Sequence, residues 1–254
     1  MTASRPKLLL IRGLGHSGTT ILDLALGANP DVMGLGEAAR LLRPPEITDA
    51  HDGPYRLRND MRFKRLCSCG SVAAECSIWG EYLEWLRLND DLSMDQKVLR
   101  LLDSGSRSGG DFLYVDSYQD DLSMLRLPVD LFDLRVIHLV RDIRSWLPRR
   151  VRSARSEGKH FSSFRNAFRW FYVNQKFSKV FRQSGVPVLR VGYEELALRP
   201  EFTLRLICQW LDLDYTQQML SPGLYSKSHI LLGNRVRQQG DRNQQIVYDA
   251  SWLR

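Results

Sequence analysis

Four short apolar runs punctuate the chain, and longer stretches with helical spacing follow them. The first, Lys7–Arg12 (KLLLIR), reads as a buried strand, and the spacing after it predicts a helix over Thr19–Ala28 that stops near Asn29-Pro30. "FLYV" (Phe112–Val115) and "RVIHLV" (Arg135–Val140) are apolar, β-branched and aromatic, as strands buried on both faces are. Each leads into a helical stretch, the second into two long ones, Asp142–Glu157 and Phe161–Ser184. "VPVLRV" (Val186–Val191) is a fourth strand, followed by a helix over Pro200–Leu211. Strands separated by crossovers this long pair in parallel and are covered by helices on both faces. The predicted fold is therefore an α/β parallel sheet in one domain, residues 1–254.

Residues 34–110 break the alternation. They hold the Pro44-Pro45 break, an Asp52-Gly53-Pro54 turn, three cysteines, helical patterns at Trp79–Leu88 and Met94–Leu102, and a glycine-serine loop over Ser104–Gly110. The tail from Leu224 to Arg254 is polar and rich in Arg and Gln.

Between the first strand and its helix stands Gly13-Leu-Gly-His-Ser-Gly18-Thr19-Thr20, which fits the phosphate-loop template G-x-x-x-x-G-K-[ST] except that Thr19 replaces the lysine. A strand, a glycine turn and a helix start put backbone N–H groups and the positive helix end at one point, a site for an anion. Without the lysine but with the hydroxyls of Ser17, Thr19 and Thr20, the loop suits one terminal phosphate better than a triphosphate. The plain alternative is a strand-helix turn with Ser17 or Thr19 as an ordinary cap.

Composition narrows the partners. The chain has 254 residues with 36 Lys plus Arg against 29 Asp plus Glu, a net charge of +7, which favours anionic ligands. No helix-turn-helix or aromatic-basic block accompanies that charge, so no nucleic-acid partner is expected. No apolar run approaches a signal core or a membrane span, so a cytoplasmic protein without membrane insertion is expected.

"GLGHSGTT" followed by "NPDVMGLGE" resembles the sulfotransferases that use 3′-phosphoadenosine 5′-phosphosulfate (PAPS), above all the bacterial members. The blocks "CSCGSVAAECSIW", "VDS", "VIHLVRDIR", "VGYEEL" and "HILLGNRVR" continue the resemblance in order along nearly the whole chain. It extends distantly to the tyrosylprotein and heparan sulfotransferases. Thr19 is what that family carries in the lysine position. The resemblance implies that Gly15, His16, Ser17, Gly18, Thr19 and Thr20 hold the 5′-phosphosulfate, and that Arg141 holds the 3′-phosphate. It implies that Tyr193 and the tail residues Gly233, Asn234 and Arg235 lie beside the nucleotide. It also implies that Glu37 takes the acceptor's proton, and that the product is adenosine 3′,5′-bisphosphate with no metal needed. Residues 38–110 would shape the acceptor side, with Tyr55, Trp79 and Tyr82 as aromatic candidates, and 224–254 would cover the nucleotide. The acceptor would be a small molecule, glycan or lipid bearing a hydroxyl or amine.

Three positions depart from the family pattern. His16 stands where Lys or Arg is usual, and supplies charge only when protonated. Arg149 replaces a serine that assists the 3′-phosphate arginine, with Ser145 and Ser153 as other candidates. Gln119 replaces a lysine near the transferring group.

Each assignment has a plainer alternative: an Arg141–Asp142 ion pair, Glu37 as a helix-start carboxylate, Arg237 as part of a solvated tail. Asp116, ending "FLYVD", fits either a Mg²⁺-holding strand end or a helix cap. The first option gives a second reading, a P-loop kinase-like ATP-dependent phosphotransferase. Cys67, Cys69 and Cys76 offer three thiols, whereas structural zinc takes four ligands. The sequence places neither His51 nor His160 beside them, so no metal is assigned, and a Cys69–Cys76 disulfide stands as an option.

Overall fold

The computed structural model describes residues 5–43, 62–106, 112–119, 121–156, 158, 162–233 and 245–250. Its centre is a parallel sheet of five strands, β1 (Lys7–Arg12), β2 (Val32–Gly34), β3 (Leu113–Asp116), β4 (Asp133–Val140) and β5 (Val188–Gly192), in the order β2-β3-β1-β4-β5. β1 sits in the middle, in register with β3 (Leu8 opposite Tyr114) and with β4 (Leu8 opposite Leu134). From β1 the chain goes to the edge strand β2, returns to β3 beside β1, and then crosses to β4 and β5 on the other side, so the order reverses around the carboxyl end of β1. Open α/β sheets bind ligands at such a switch point.

The two-residue period of β1 feeds two cores. Leu8 and Leu10 face one layer with Trp79, Tyr82, Phe177 and Phe181, while Leu9 and Ile11 face the other with Leu22, Ile207 and Met219. The first layer contains α2 (Ala38–Leu42), α3 (Gly80–Leu88), α4 (Met94–Ser106) and part of α6 (Ser163–Ser184); the second contains α1 (Thr19–Leu26), α7 (Tyr193–Leu198) and α8 (Pro200–Leu211). α5 (Ile143–Ser156) leaves β4 toward the loop after β1. α6 starts on a Ser162 cap that accepts the Arg165 N–H, and ends at Gly185, whose φ of 69° suits a glycine.

Most predicted elements are present within one or two residues. β2 and α2 are additional, and only a short 3₁₀ turn, Ser123–Arg126, follows β3 instead of the expected helix. Trp79 and Tyr82 are fully buried core residues, so neither lines an acceptor site; Tyr55 lies outside the described residues. No helix among the described residues is long and apolar enough to cross a membrane.

Candidate active site

The loop after β1 is shaped by close approaches. A Cβ on Gly13 would lie 2.3 Å from the Leu139 carbonyl oxygen of β4, and one on Gly18 would lie 2.7 Å from the Tyr193 ring. His16 (φ 71°) and Gly18 (φ 96°) are both left-handed, which turns the chain sharply into α1. No side chain caps α1, so its first N–H groups and positive end face the loop. That arrangement favours the anion-site alternative over an ordinary Ser or Thr cap.

α5 and the segment after β3 pin the loop. Trp146 Nε1 donates to the Gly15 carbonyl (2.8 Å), and Gly13 N–H donates to the Gln119 carbonyl (3.2 Å). The Gln119 side chain lies 3.7–3.9 Å from where a Gly15 Cβ would be. Gln119 thus touches the loop, as its position in the sequence implies.

Arg141 leaves the carboxyl end of β4 and is only 4% exposed. Its Nη1 donates to the His16 carbonyl (3.2 Å), its Nε to Ser145 Oγ (2.9 Å), and its Nη2 pairs with Asp249 (3.2 Å). The guanidinium stands over the Tyr193 ring, 4.4 Å from its centre, a cation–π geometry. Ser145 donates onward to Glu194 Oε1 (2.8 Å), whose other oxygen accepts the Asp142 N–H (3.1 Å). Burial pushes the Tyr193 phenol above its ordinary range, against the pull of Arg141. Asp142 pairs with Arg144, not with Arg141.

Arg149 is half-buried on α5, about 9 Å along the helix from its first residue, Ile143. Arg152 instead reaches Asp249, at 3.4 Å. The tail returns here: Tyr248 packs beside Tyr193 (ring centres 6.5 Å apart), and Asp249 faces both arginines. Asn234, Arg235 and Arg237 lie outside the described residues.

Glu37 begins α2 and is buried, with Oε2 3.2 Å from Arg40 Nη1. Its N–H donates to the Leu232 carbonyl (3.1 Å). The next residue, Gly233, would place a Cβ 3.8 Å from Thr20 Oγ1. Glu37, Gly233 and the hydroxyl end of the loop are therefore neighbours. Preceding Gly36 is left-handed (φ 67°), and a Cβ there would lie 2.4 Å from Ile230. Its N–H donates to Asp23 Oδ2 (3.1 Å), which also accepts from Ser117 Oγ (2.6 Å). Asp23 is wholly buried, and burial raises its pKa to about 7.

Asp116 is committed elsewhere. One oxygen pairs with the buried Arg12 (2.7 Å) and the other accepts the Ala39 N–H (2.7 Å). Arg12 also binds the Asp116 and Asp121 carbonyls, so this pair ties together the ends of β1 and β3. The carboxylate caps α2 rather than a helix that follows it, and both its oxygens are engaged in these contacts.

Asp23, Glu194, Asp249 and the Arg12–Asp116 pair are elements of the site beyond the sequence-predicted residues. Glu194 adjoins Tyr193 in "VGYEEL", which was a signal of proximity. Nothing local marks the other three.

Residues 127–217, which include Arg141, Ser145, Tyr193 and Glu194, match the model of the sulfotransferase family. Among solved structures, the chain is similar to the sulfotransferase domain from the curacin biosynthetic pathway. The two share 18% identity over 98% of this chain and 90% of that one, with a TM-score of 0.60. It is also similar to the sulfotransferase domain of the Synechococcus PCC 7002 olefin synthase, at 20% identity over 100% of this chain and 84% of that one, with a TM-score of 0.50. At these identities the likeness is one of fold. No protein of curated function matches the chain. The sulfotransferase-family match thus covers the segment carrying Arg141 and Tyr193, while the likeness of fold to solved sulfotransferase domains runs along nearly the whole chain.

Proposed function

We propose that the protein is a PAPS-dependent sulfotransferase acting on a hydroxyl or amine acceptor. The observation that carries this reading is the convergence of the buried Arg141 fork and the uncapped start of α1 on one loop. The residues fit such a donor. Asp249 already places a carboxylate on Arg141, so an anion is accommodated there. Gly15–Thr20 would hold the 5′-phosphosulfate end, and Arg141, assisted by Ser145 and with Arg152 nearby, would hold the 3′-phosphate. When bound, the donor supplies the sulfuryl group and leaves as adenosine 3′,5′-bisphosphate.

Glu37 accepts the proton of the attacking acceptor, and Arg40 restrains its carboxylate. The α1 amides and the Ser17, Thr19 and Thr20 hydroxyls meet the charge that develops on the departing phosphate oxygen. Phe164, Phe168 and Tyr172 recur at four-residue intervals on α6 and are exposed, with Phe168 and Tyr172 stacked. Trp170 on the same helix donates to the Arg141 carbonyl (2.9 Å), which ties α6 to the site, while Phe168 and Tyr172, each two residues from Trp170, lie on the opposite face of the helix.

The test uses radiolabelled donor and a panel of hydroxyl and amine acceptors. Glu37→Gln is expected to lose transfer by roughly 10²–10⁴-fold while keeping adenosine 3′,5′-bisphosphate binding. Unchanged transfer would remove Glu37 as the base.

A further inference from the structure

Away from the loop, Cys67, Cys69 and Cys76 meet His229, the fourth group the sequence could not place. Their ligand atoms all lie within 4.8 Å of one another, and all four cysteines of the chain are free. Cys76 Sγ is 3.7 Å from Cys67 Sγ and 3.9 Å from Cys69 Sγ, and 3.1 Å from His229 Nδ1. Cys67 Sγ is 4.0 Å from the same nitrogen. Zinc–sulfur bonds of about 2.3 Å in a tetrahedron put the sulfurs about 3.8 Å apart, and both distances from Cys76 already match that edge.

The backbone holds these groups independently of one another. Cys67–Gly70 is a tight turn, closed by Gly70 N–H to the Cys67 carbonyl (3.0 Å), with Gly70 left-handed at 92°. Cys76 follows the 3₁₀ turn Ala73–Glu75, and its carbonyl accepts the Gly80 N–H (2.8 Å). His229 donates its N–H to Gly34 at the end of β2 (2.7 Å) and accepts Trp79 Nε1 on its carbonyl (2.6 Å). Cys67 and Cys76 are buried, His229 is half-buried, and Cys69 is exposed, which leaves one flank open for an ion to enter. Ordinary thiol packing needs neither an exposed member nor an imidazole nitrogen turned toward the sulfurs.

We propose that Cys67, Cys69, Cys76 and His229 form a structural Zn²⁺ site. Three thiols and one imidazole make a closed tetrahedral set with no position left for a substrate, the pattern of structural and not catalytic zinc. On binding, the three thiols release three protons, and the Cys₃His–zinc centre carries a net charge of −1. The ion fastens the segment around residues 67–76 to the stretch at 228–232, beside the Ser68–Ile230 contacts (Ser68 N–H to the Ile230 carbonyl, 3.0 Å; Ile230 N–H to Ser68 Oγ, 2.9 Å). That stretch supplies the Leu232 carbonyl that holds Glu37. The metal is thus placed to brace one wall of the active site without taking part in the chemistry.

The full-length protein, purified under reducing conditions, is analysed for metal after exposure to Zn²⁺ and removal of excess. One zinc per chain is expected. Replacement by Co²⁺ should give strong thiolate-to-cobalt charge transfer and the intense visible bands of a tetrahedral ion, a readout that needs no variant. Cys76→Ser should lose the ion, while Cys208→Ser, altering a buried cysteine outside the cluster, should retain it. Less than a tenth of an ion per chain, an octahedral cobalt spectrum, or full retention by Cys76→Ser would overturn the proposal. So would a Cys69–Cys76 disulfide found by mass spectrometry in protein prepared with zinc present.

Discussion

Asp23 makes the Glu37 loop sensitive to pH, and replacing it with asparagine exposes the effect. Oδ2 accepts from Gly36 and Ser117, while Oδ1 is buried with no hydrogen-bond partner and would lie 2.1 Å from a Cβ on Gly34. A neutral acid meets these demands better than a carboxylate, and the nearby Asp116 adds to the penalty. The folded pKa of about 7 lies above the ordinary value of 3.8, so the folded state binds the proton more tightly than the unfolded one. Stability from this group is complete below the ordinary pKa and is lost as pH rises to about 7. At about 1.4 kcal/mol per unit, the whole loss is about 4 kcal/mol.

Roughly 2–3 kcal/mol of that falls between pH 5 and 8. His138 works in the opposite direction. Burial lowers its pKa to about 4, so its stabilisation is lost as pH falls from 6.5 toward that value. The comparison is therefore between wild type and Asp23→Asn at each pH, which cancels His138. Asparagine presents an oxygen to Gly36 and Ser117 but cannot ionise. By urea unfolding, the variant should gain about 2–3 kcal/mol on wild type between pH 5 and pH 8. At about 2 °C per kcal/mol for a chain of this size, the gap in Tm should shift by roughly 5 °C. A difference independent of pH would refute the buried, proton-holding Asp23.

Two further substitutions probe the nucleotide side. His16→Ala should cut turnover by roughly 10²-fold, as expected when a group beside the leaving oxygen is lost. His16→Arg should keep much of the activity, and His16→Gly, which suits the φ of 71° but lacks the ring, should match the alanine variant. Equal turnover in all four proteins would take the ring out of the mechanism. Asp249→Asn removes the carboxylate that shares Arg141 and Arg152, and should tighten adenosine 3′,5′-bisphosphate binding about 10-fold by calorimetry. Weaker binding would mean that Asp249 helps to hold the nucleotide.

The sheet was legible where apolar runs were long enough to show a period. β1 and α8 appear at the predicted residues, because Leu8–Ile11 are bounded by a charged residue and a glycine turn, and α8 by Pro200. β2 escaped notice because three residues carry no period, and its strand character comes from pairing with β3 (Val32 opposite Leu113). The phosphate loop could be read because all its determinants are local. Arg141 could be placed from its strand end, yet Glu194 reaches the Asp142 amide across 52 residues and Asp249 reaches Arg141 across 108. His229 stands 153 residues from Cys76, so no spacing rule joins them. Trp79 and Tyr82 looked like acceptor-side aromatics because composition does not separate a lining residue from a core residue in an irregular segment.

The loop assignment is tested most directly by ligand-induced thermal stabilisation in two arms. Adenosine 3′,5′-bisphosphate with no added metal, at about a hundred times its Kd, should stabilise the protein by about 2.7 kcal/mol, or roughly 5 °C. ATP with Mg²⁺ should give a much smaller shift, since Thr19 replaces the triphosphate-binding lysine and Asp116 is held by Arg12. Stabilisation by ATP with Mg²⁺ and none by the bisphosphate would contradict a loop built for a 5′-phosphosulfate.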